Sequence, residues 1–400
     1  MGLNGSYCRT HCFPIDSIGL LAIHFNKKQL YIMEIIHIIL GKANPNRLNG
    51  VNKVVHQLAS KQVEYGRKVA VWGITKNMEH NYGKRNFKTK LFKAKRNPFL
   101  LCPELKKAIQ LKKGKAVFHM HGGWIPIYFT LSKFLSKNEI PYVLTPHGAY
   151  NTVAMKRSKW VKGLYFYFFE KSLLSKARKI HFIGESEIEG LGKIFPNKKF
   201  LLLPYGFEIS HAKDSIQKRP GDFIIGFVGR LDIYTKGLDL LVDSFKKFQE
   251  FEPNSKLWIV GDSDQKAELQ RLIATHKLQN KVILWGSKFG NEKEELMKKM
   301  HIFVHPSRNE GLPVAVLEAC ELGIPSIVTK ATNMGTYIQE ERAGIAIEDE
   351  NSKALTWAMV VLNSLRKQNR LTVISENARK MVNDVFNWKT IINRFDNLYQ

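Results

Sequence analysis

The sequence predicts an α/β protein of two doubly wound, Rossmann-like domains that face each other across a cleft, with a last helix crossing back to the first domain. Three observations predict it. Short apolar runs alternate with amphipathic stretches along most of the chain, as expected of parallel strands buried on both faces with helices between them. The alternation breaks at HAKDSIQKRPGD (His211–Asp222), a polar stretch in which Pro220 and Gly221 mark a linker. Several apolar runs beyond it end in glycine, which lets the chain turn tightly at the carboxyl end of a sheet, where open α/β sheets bind ligands.

The elements follow in order. Residues 1–32 show neither helical nor strand periodicity and are expected to be an extension outside the fold. They open with M-G-L-N-G-S, a short pattern that fits N-myristoylation at Gly2 and is often matched by chance. The first domain is expected over 33–208 and starts with MEIIHIIL (Met33–Leu40) as a buried strand. Val69–Trp72, Ala116–His119, Tyr142–Thr145, Ile180–Ile183 and Phe200–Leu203 supply further strands. Val51–Gln62, Cys102–Leu111, Ile127–Ser136 and Trp160–Ser175 supply helices. A linker over 209–221 leads to a second domain over 222–384. Its strands are Phe223–Gly229, Lys256–Gly261, Lys281–Gly286, His301–Pro306 and Pro325–Thr329. Its helices are Asp239–Glu250, Gln265–Lys277, Glu292–Met300, Pro313–Glu321 and Ser352–Gln368. Residues 385–400 form the amphipathic crossover helix.

The net charge of +27 is uneven: residues 1–210 carry +24 and residues 211–400 carry +3. A basic half suits nucleic acid, an anionic membrane surface or an acidic substrate. Positive charge concentrates in Lys84–Arg96, Lys106–Lys115 and Lys156–Lys162, and the last of these runs into the aromatics of MKRSKWVKGLYFYFF (Met155–Phe169). Cations beside Trp and Tyr suit an anionic lipid surface; a solvated lysine-rich face over a buried helix explains them equally. No apolar run approaches the roughly 18–20 residues that span a bilayer. Cys8, Cys12, Cys102 and Cys320 form no CxxC pair and no zinc-ligand spacing, which fits reduced thiols in a cytoplasmic protein.

Two segments carry the chemistry. In FVGRLDIYTKGLDLLVDSF (Phe227–Phe245) a strand ends at Gly229, and the cations Arg230 and Lys236 precede a helix. A bidentate Arg and a point-charge Lys suit a diphosphate, and fixed cations stabilise a diphosphate leaving group most as its charge grows. An ordinary turn with surface cations is the competing explanation. In HPSRNEGLPVAVLEACELGIPSIVT (His305–Thr329), Glu310 lies in a loop and Glu318 in the helix that follows, with Gly311, Leu312 and Pro313 leading to the helix start. Amides there point at an anion, and the carboxylates can accept bonds from sugar and ribose hydroxyls. Glu310 as an electrostatic cap and Glu318 as an exposed acid is the competing explanation.

Together these segments resemble family 4 of the retaining nucleotide-sugar glycosyltransferases, the glycosyl transferases group 1 proteins, whose fold is called GT-B. The family's G-R-x(n)-K-G and E-x7-E motifs stand here as Gly229-Arg230-LDIYT-Lys236-Gly237 and Glu310-GLPVAVL-Glu318, and the similarity runs from about Met33 onward. Five residues separate Arg230 from Lys236, where many members have four. The resemblance implies that Arg230 and Lys236 bind the diphosphate of a UDP- or GDP-linked hexose. It implies that Glu310 contacts the sugar and Glu318 the ribose, with Gly229, Gly311, Leu312 and Pro313 also at the donor. Members usually have two glycines after the first strand; this chain has Asn49-Gly50, so Gly50 takes the role of approaching the donor phosphate. TPHGAY (Thr145–Tyr150) resembles the family's T-P-H-G loop, which makes His147 and Glu310 the expected catalytic residues. His121 and Trp124 of FHMHGGW are expected on the acceptor side. Glu185, Ser186 and Glu187 are either ligand contacts or the start of a helix.

The resemblance further implies retention of configuration by front-face attack, with no cofactor and no metal. Asp262 and Asp264 of GDSD do not have the setting of a metal motif. The expected acceptor is a saccharide or lipid-linked saccharide in cell-surface polysaccharide or lipopolysaccharide synthesis. The protein is expected to be cytoplasmic, with the basic half available to an anionic membrane. Nucleic acid is not an expected partner, because no recognition motif accompanies the charge. The rival readings are a basic nucleic-acid binder and a sugar-nucleotide-binding protein without transferase activity.

Overall fold

The computed structural model describes residues 33–44, 50–80, 83–156, 158–196, 198–209 and 221–400. The extension over 1–32, its Gly2 pattern and most of the linker lie outside them.

The first sheet contains β1 (Glu34–Leu40), β2 (Val69–Thr75), β3 (Lys88–Lys93), β4 (Ala116–His121), β5 (Tyr142–Thr145), β6 (Ile180–Phe182) and β7 (Phe200–Leu202). Its order is β3-β2-β1-β4-β5-β6-β7, and the pairs are parallel. Around it lie α1 (Gly50–Glu64), α2 (Pro103–Gln110), α3 (Pro126–Lys137), α4 (Thr152–Lys156), α5 (Lys159–Tyr165), α6 (Lys171–Lys176) and α7 (Glu185–Gly192). Successive strand residues point to opposite faces. Ile36, Trp72, Phe118 and Leu144 therefore pack with α2 and α3, whereas Ile35, Val71, Val117 and Val143 pack with α1. The helix expected over Trp160–Ser175 is present as α5 and α6, joined through a π-helical turn at Phe166–Glu170. Strand β3 was not expected. Its sequence, KTKLFK, reads as a charge run, but lysines suit an edge strand because they discourage pairing with other chains.

The second sheet contains β8 (Phe223–Val228), β9 (Ser255–Val260), β10 (Val282–Gly286), β11 (Ile302–His305), β12 (Ser326–Thr329) and β13 (Gly344–Ile347) in the order β10-β9-β8-β11-β12-β13. It too is parallel. Its helices are α8 (Leu238–Phe248), α9 (Lys266–Thr275), α10 (Gly290–Lys298), α11 (Val314–Glu321), α12 (Gly335–Glu340), α13 (Ser352–Lys367) and α14 (Leu371–Val385). The short elements β13 and α12 and the 15-residue α14 are additions to the sequence-based expectation.

Helix α15 (Trp388–Tyr399) returns to the first domain. Asn387 caps it by accepting from Lys389 N, and Phe207 N donates to Phe386 O at 2.8 Å where the chain crosses back. Its buried Trp388, Ile391, Ile392, Phe395 and Leu398 join the layer of α1. Arg67 grips Asp396 at 2.6 Å, with both side chains under 10% exposed. Each sheet reverses strand order at one place, β1/β4 in the first and β8/β11 in the second. Ligand sites in open α/β sheets form beyond the carboxyl ends of strands at such points. Among the described residues, no helix is long and apolar enough to cross a membrane.

Candidate functional site

The donor-side residues collect beyond β8 and β11. Gly229 and Arg230 leave β8, and Lys236 precedes α8. Gly237, at φ 66°, caps that helix, and a β-carbon there would lie 2.1 Å from Pro306 O. Only glycine lets this turn press onto the chain leaving β11, and the contact delivers Lys236 Nζ to the Glu310 carboxylate. Glu310 also accepts from His305 Nε2 at 2.9 Å and Ser307 Oγ at 3.3 Å. Burial pushes the Glu310 carboxyl up, but its bond to His305 and the field of His305 and Lys236 outweigh burial and hold it down to about 2. Glu310 is therefore an ionised, half-enclosed acceptor.

Arg230 projects into solvent, 69% exposed, with Asp232 at 3.1 Å. Asp232 in turn accepts from Thr235 N and shapes the loop to Lys236. Arg308 pins this loop from the other side, donating to Tyr234 O and in bidentate fashion to Asp239 at 2.8 Å. Glu318, inside α11, is held by Lys293 of α10 at 2.7 and 2.8 Å. Gly311 is exposed with open space where a β-carbon would go, Leu312 is half-buried, and Pro313 is the N-cap of α11. Sequence reading missed His305, Arg308, Lys293 and Asn333. The last of these donates to Glu310 O at 2.7 Å and Gly311 O at 3.1 Å. His305 and Arg308 lie in the β11 segment beside Glu310 but outside its E-x7-E motif, whereas Lys293 comes from α10 and Asn333 from the turn after β12.

On the facing domain, His147 leaves β5 at φ 55°, a left-handed conformation uncommon outside glycine. Glu187 of α7 secures the loop by accepting from Gly148 N at 2.6 Å and Ile183 N at 3.1 Å. Burial pushes its carboxyl up to about 7 against the pull of those amides. Gly190 permits the same packing, since a β-carbon there would lie 2.1 Å from Tyr150 O. Glu187 is thus a buried clamp. Its neighbours reach the other domain: Glu185 accepts from Thr336 Oγ1 at 3.0 Å, and Ser186 N donates to Asn333 Oδ1 at 3.3 Å. Asn151 donates to Asn309 at 3.3 Å. The His147 loop and the Glu310 loop are therefore tied together across the cleft.

The acceptor-side expectation needs correction in its detail. His121 does not line a surface: it is 1% exposed, and its ring nitrogens meet His37 at 2.8 Å and His147 at 2.9 Å. Burial and the neighbouring imidazoles hold its pKa well below the usual range. Trp124 is partly buried, and its indole N–H donates to Ala149 O at 2.9 Å, which ties the Gly122–Gly123 turn to the His147 loop. Gly50 begins α1, but residues 45–49 before it lie outside the described part. Among the described residues, the ligand atoms of His37, His119 and His121 lie within 4.8 Å of one another, as a metal site would require. Their ring nitrogens are instead engaged with His147, Gln62, Thr145, Tyr399 and each other. Asp262 is occupied by Ser263 N and lies 3.8 Å from Lys266.

A family model described as glycosyl transferases group 1 matches residues 208–381, and one described as glycosyltransferase family 4 matches residues 48–210. The chain is 28% identical over 204 residues to an uncharacterized glycosyltransferase of Methanocaldococcus jannaschii, covering 49% of this chain and 51% of that one. It is 25% identical over 215 residues to the UDP-Gal:alpha-D-GlcNAc-diphosphoundecaprenol alpha-1,3-galactosyltransferase of Escherichia coli, covering 50% of this chain and 54% of that one. The chain spans about half the length of these curated relatives. Among solved structures, the HepE protein of Anabaena in complex with UDP and glucose aligns at 17% identity and a TM-score of 0.64, over 91% of this chain and 98% of that one. With the two family models in tandem over paired parallel sheets, the chain belongs to the group 1 glycosyltransferases of GT-B fold.

Proposed function

We propose that the protein is a retaining hexosyltransferase that takes its sugar from a UDP- or GDP-linked donor and gives it to a saccharide or lipid-linked saccharide in cell-surface polysaccharide or lipopolysaccharide synthesis. The observation that carries this reading is the Lys236–Glu310 pair at the β8/β11 switch point, with Arg230 exposed beside it. When a donor enters, Lys236 and Arg230 turn to the diphosphate, and the freed Glu310 carboxylate accepts from sugar hydroxyls. Glu318, oriented by Lys293, offers its remaining lone pairs to the ribose. The bond from C1 to the diphosphate oxygen breaks as the acceptor oxygen bonds C1 from the same face, and the acceptor's proton passes to the departing diphosphate. The two cations act most strongly on the charge that develops there. No step calls on a cofactor or a metal ion.

Thermal unfolding with UDP- and GDP-sugars tests the donor, since a ligand that binds only the folded state raises stability. A rise with one nucleotide class, reduced on Arg230→Ala, is expected. No rise with any nucleotide sugar, together with salt-sensitive nucleic-acid binding, would overturn the reading.

A second observation supports an acceptor presented at a membrane surface. Trp160, Val161, Leu164, Tyr167 and Phe168 are 56–91% exposed and recur at helical spacing on α5 and the π turn. The opposite side, Phe166 and Leu173, is buried. Exposed Lys156, Lys159 and Lys171 flank the stripe. Aromatic and aliphatic groups ringed by lysines suit an anionic bilayer. The same helix packs Tyr165 against Trp124, with ring centroids 6.0 Å apart, and so adjoins the cleft loops. Sedimentation with phosphatidylglycerol vesicles, absent with neutral vesicles and lost on Trp160→Glu with Leu164→Glu, is the expected result.

A further inference from the structure

Beneath the Thr145–Tyr150 loop lies a buried polar array that the transfer reaction, as described, does not use. It joins five histidines to Gln62, Thr145 and Tyr399. Among the described residues, every ring nitrogen of His37, His119, His121, His147 and His181 has a hydrogen-bond partner in this array except Nδ1 of His147. Each bond holds one proton, and one end of the array has a fixed direction.

That end is Leu203 O, 2.7 Å from His181 Nε2. A carbonyl only accepts, so His181 carries its proton on Nε2. In a neutral imidazole the other nitrogen then accepts, and Thr145 Oγ1 donates to His181 Nδ1 at 2.8 Å. With its proton committed, Thr145 accepts from His119 Nε2 at 2.6 Å. His119 Nδ1 is then an acceptor and takes the Tyr399 hydroxyl proton at 3.0 Å. Tyr399 in turn accepts from Gln62 Nε2 at 2.8 Å, which also fixes the orientation of that amide. Gln62 Oε1 accepts from His37 Nε2 at 2.7 Å. His37 Nδ1 accepts from His121 Nε2 at 2.8 Å, and His121 Nδ1 from His147 Nε2 at 2.9 Å. No other proton placement satisfies every bond while the rings stay neutral.

Burial keeps them neutral. Desolvation lowers the pKa of His37 to about 4, of His181 to about 4 and of His147 to about 3, and it carries His119 and His121 well below the ordinary range.

We propose that the array is a tautomer lock, which holds the proton of His147 on Nε2 and leaves a bare lone pair on Nδ1, so that His147 serves the site as a hydrogen-bond acceptor for a substrate hydroxyl. Tyr399 and Gln62 are its positioning residues, and α15 thereby takes part in the site from the far side of the sheet. The role in transfer rests on the function proposed above; the tautomer itself does not.

The full chain, labelled with 15N-histidine and free of substrate, reports each ring nitrogen in two-bond nitrogen–proton spectra, with the His147 signals identified by their loss in His147→Gln. The lock requires an unprotonated Nδ1 and a protonated Nε2. Tyr399→Phe removes the proton that His119 Nδ1 accepts, and Thr145→Val removes the demand that His119 donate. Either change releases the direction, and His147 becomes a mixture of both tautomers. Thr145→Val carries the test if Tyr399→Phe does not fold. A protonated Nδ1 in the natural protein, or variants that fold and leave the tautomer unaltered, would overturn the lock. Transfer efficiency in a released variant falls about tenfold, as for one lost hydrogen bond. A released tautomer with unchanged transfer would overturn the role of the lone pair and leave the lock standing.

Discussion

The two sides of the cleft solve the same problem with opposite electrostatics. On the second domain the site is built of ion pairs: Lys236 with Glu310, Arg230 with Asp232, and Glu318 with Lys293. On the first domain, His147 rests on neutral imidazoles, a threonine, a glutamine and a tyrosine, in an array that burial keeps from charging. The charged side suits a ligand that brings its own charge, such as a diphosphate. The neutral side suits hydroxyls, for which direction matters more than field strength. Among the described residues, the array behind His147 carries none of the first half's net charge.

Acid separates the two sides most sharply. A histidine whose folded pKa is depressed binds fewer protons in the folded than in the unfolded state, so stability falls as pH drops from about 6.5 through the folded values near 4 and 3. Three such residues amount to a loss of several kcal/mol. Glu310 is depressed from 4.5 to about 2, so its contribution is full above 4.5 and is lost as pH falls through about 2, at most about 3 kcal/mol. Hydrogen exchange followed down the pH scale should show β1, β4 and β5 losing protection in the upper window and β8 and β11 only in the lower one. Simultaneous loss in both sheets at the higher pH would break the comparison. Arg67→Ala tests the first domain without acid. It leaves Asp396 buried without its main cation, with an expected cost of about 3–5 kcal/mol in denaturant unfolding.

How far the sequence announced each side follows from the same contrast. Arg230, Lys236, Glu310 and Glu318 stand in two contiguous segments, because each segment spans one strand end and the helix after it, and a single βα turn fixes its geometry. The two sheets, apart from their edge strands β3 and β13, and the crossing helix were legible from apolar periodicity. The histidine array was not, because its members come from β1, β4, β5, β6, α1 and α15 and no two motifs record their contact. A histidine on a buried strand reads as an isolated polar residue until the register sets His37 beside His119. The same reasoning applies to His121, expected on the acceptor side: its glycine neighbours signal a turn, but its place as the last residue of a central strand buries it.

On the charged side, Glu310→Gln is expected to reduce transfer by about 10²–10³-fold, since an amide cannot hold Lys236 by charge and donates where an acceptor is required. Steady-state rates measured with saturating donor check it, and a fall below tenfold would move the essential acceptor elsewhere. Arg230→Ala gives the smallest effect and the cleanest one. The side chain is 69% exposed and pairs with Asp232 at 3.1 Å, so unfolding should change by less than about 0.5 kcal/mol. Under the proposed function its charge acts chiefly on the donor diphosphate. Donor affinity should therefore fall about tenfold, as for a single charge-assisted hydrogen bond, and the loss should shrink in high salt because an exposed charge is screened. The equivalent loss after Tyr399→Phe should not respond to salt, because no net charge takes part in that array. A salt dependence shared by both variants would mean that the two sides of the cleft work by one electrostatic mechanism after all.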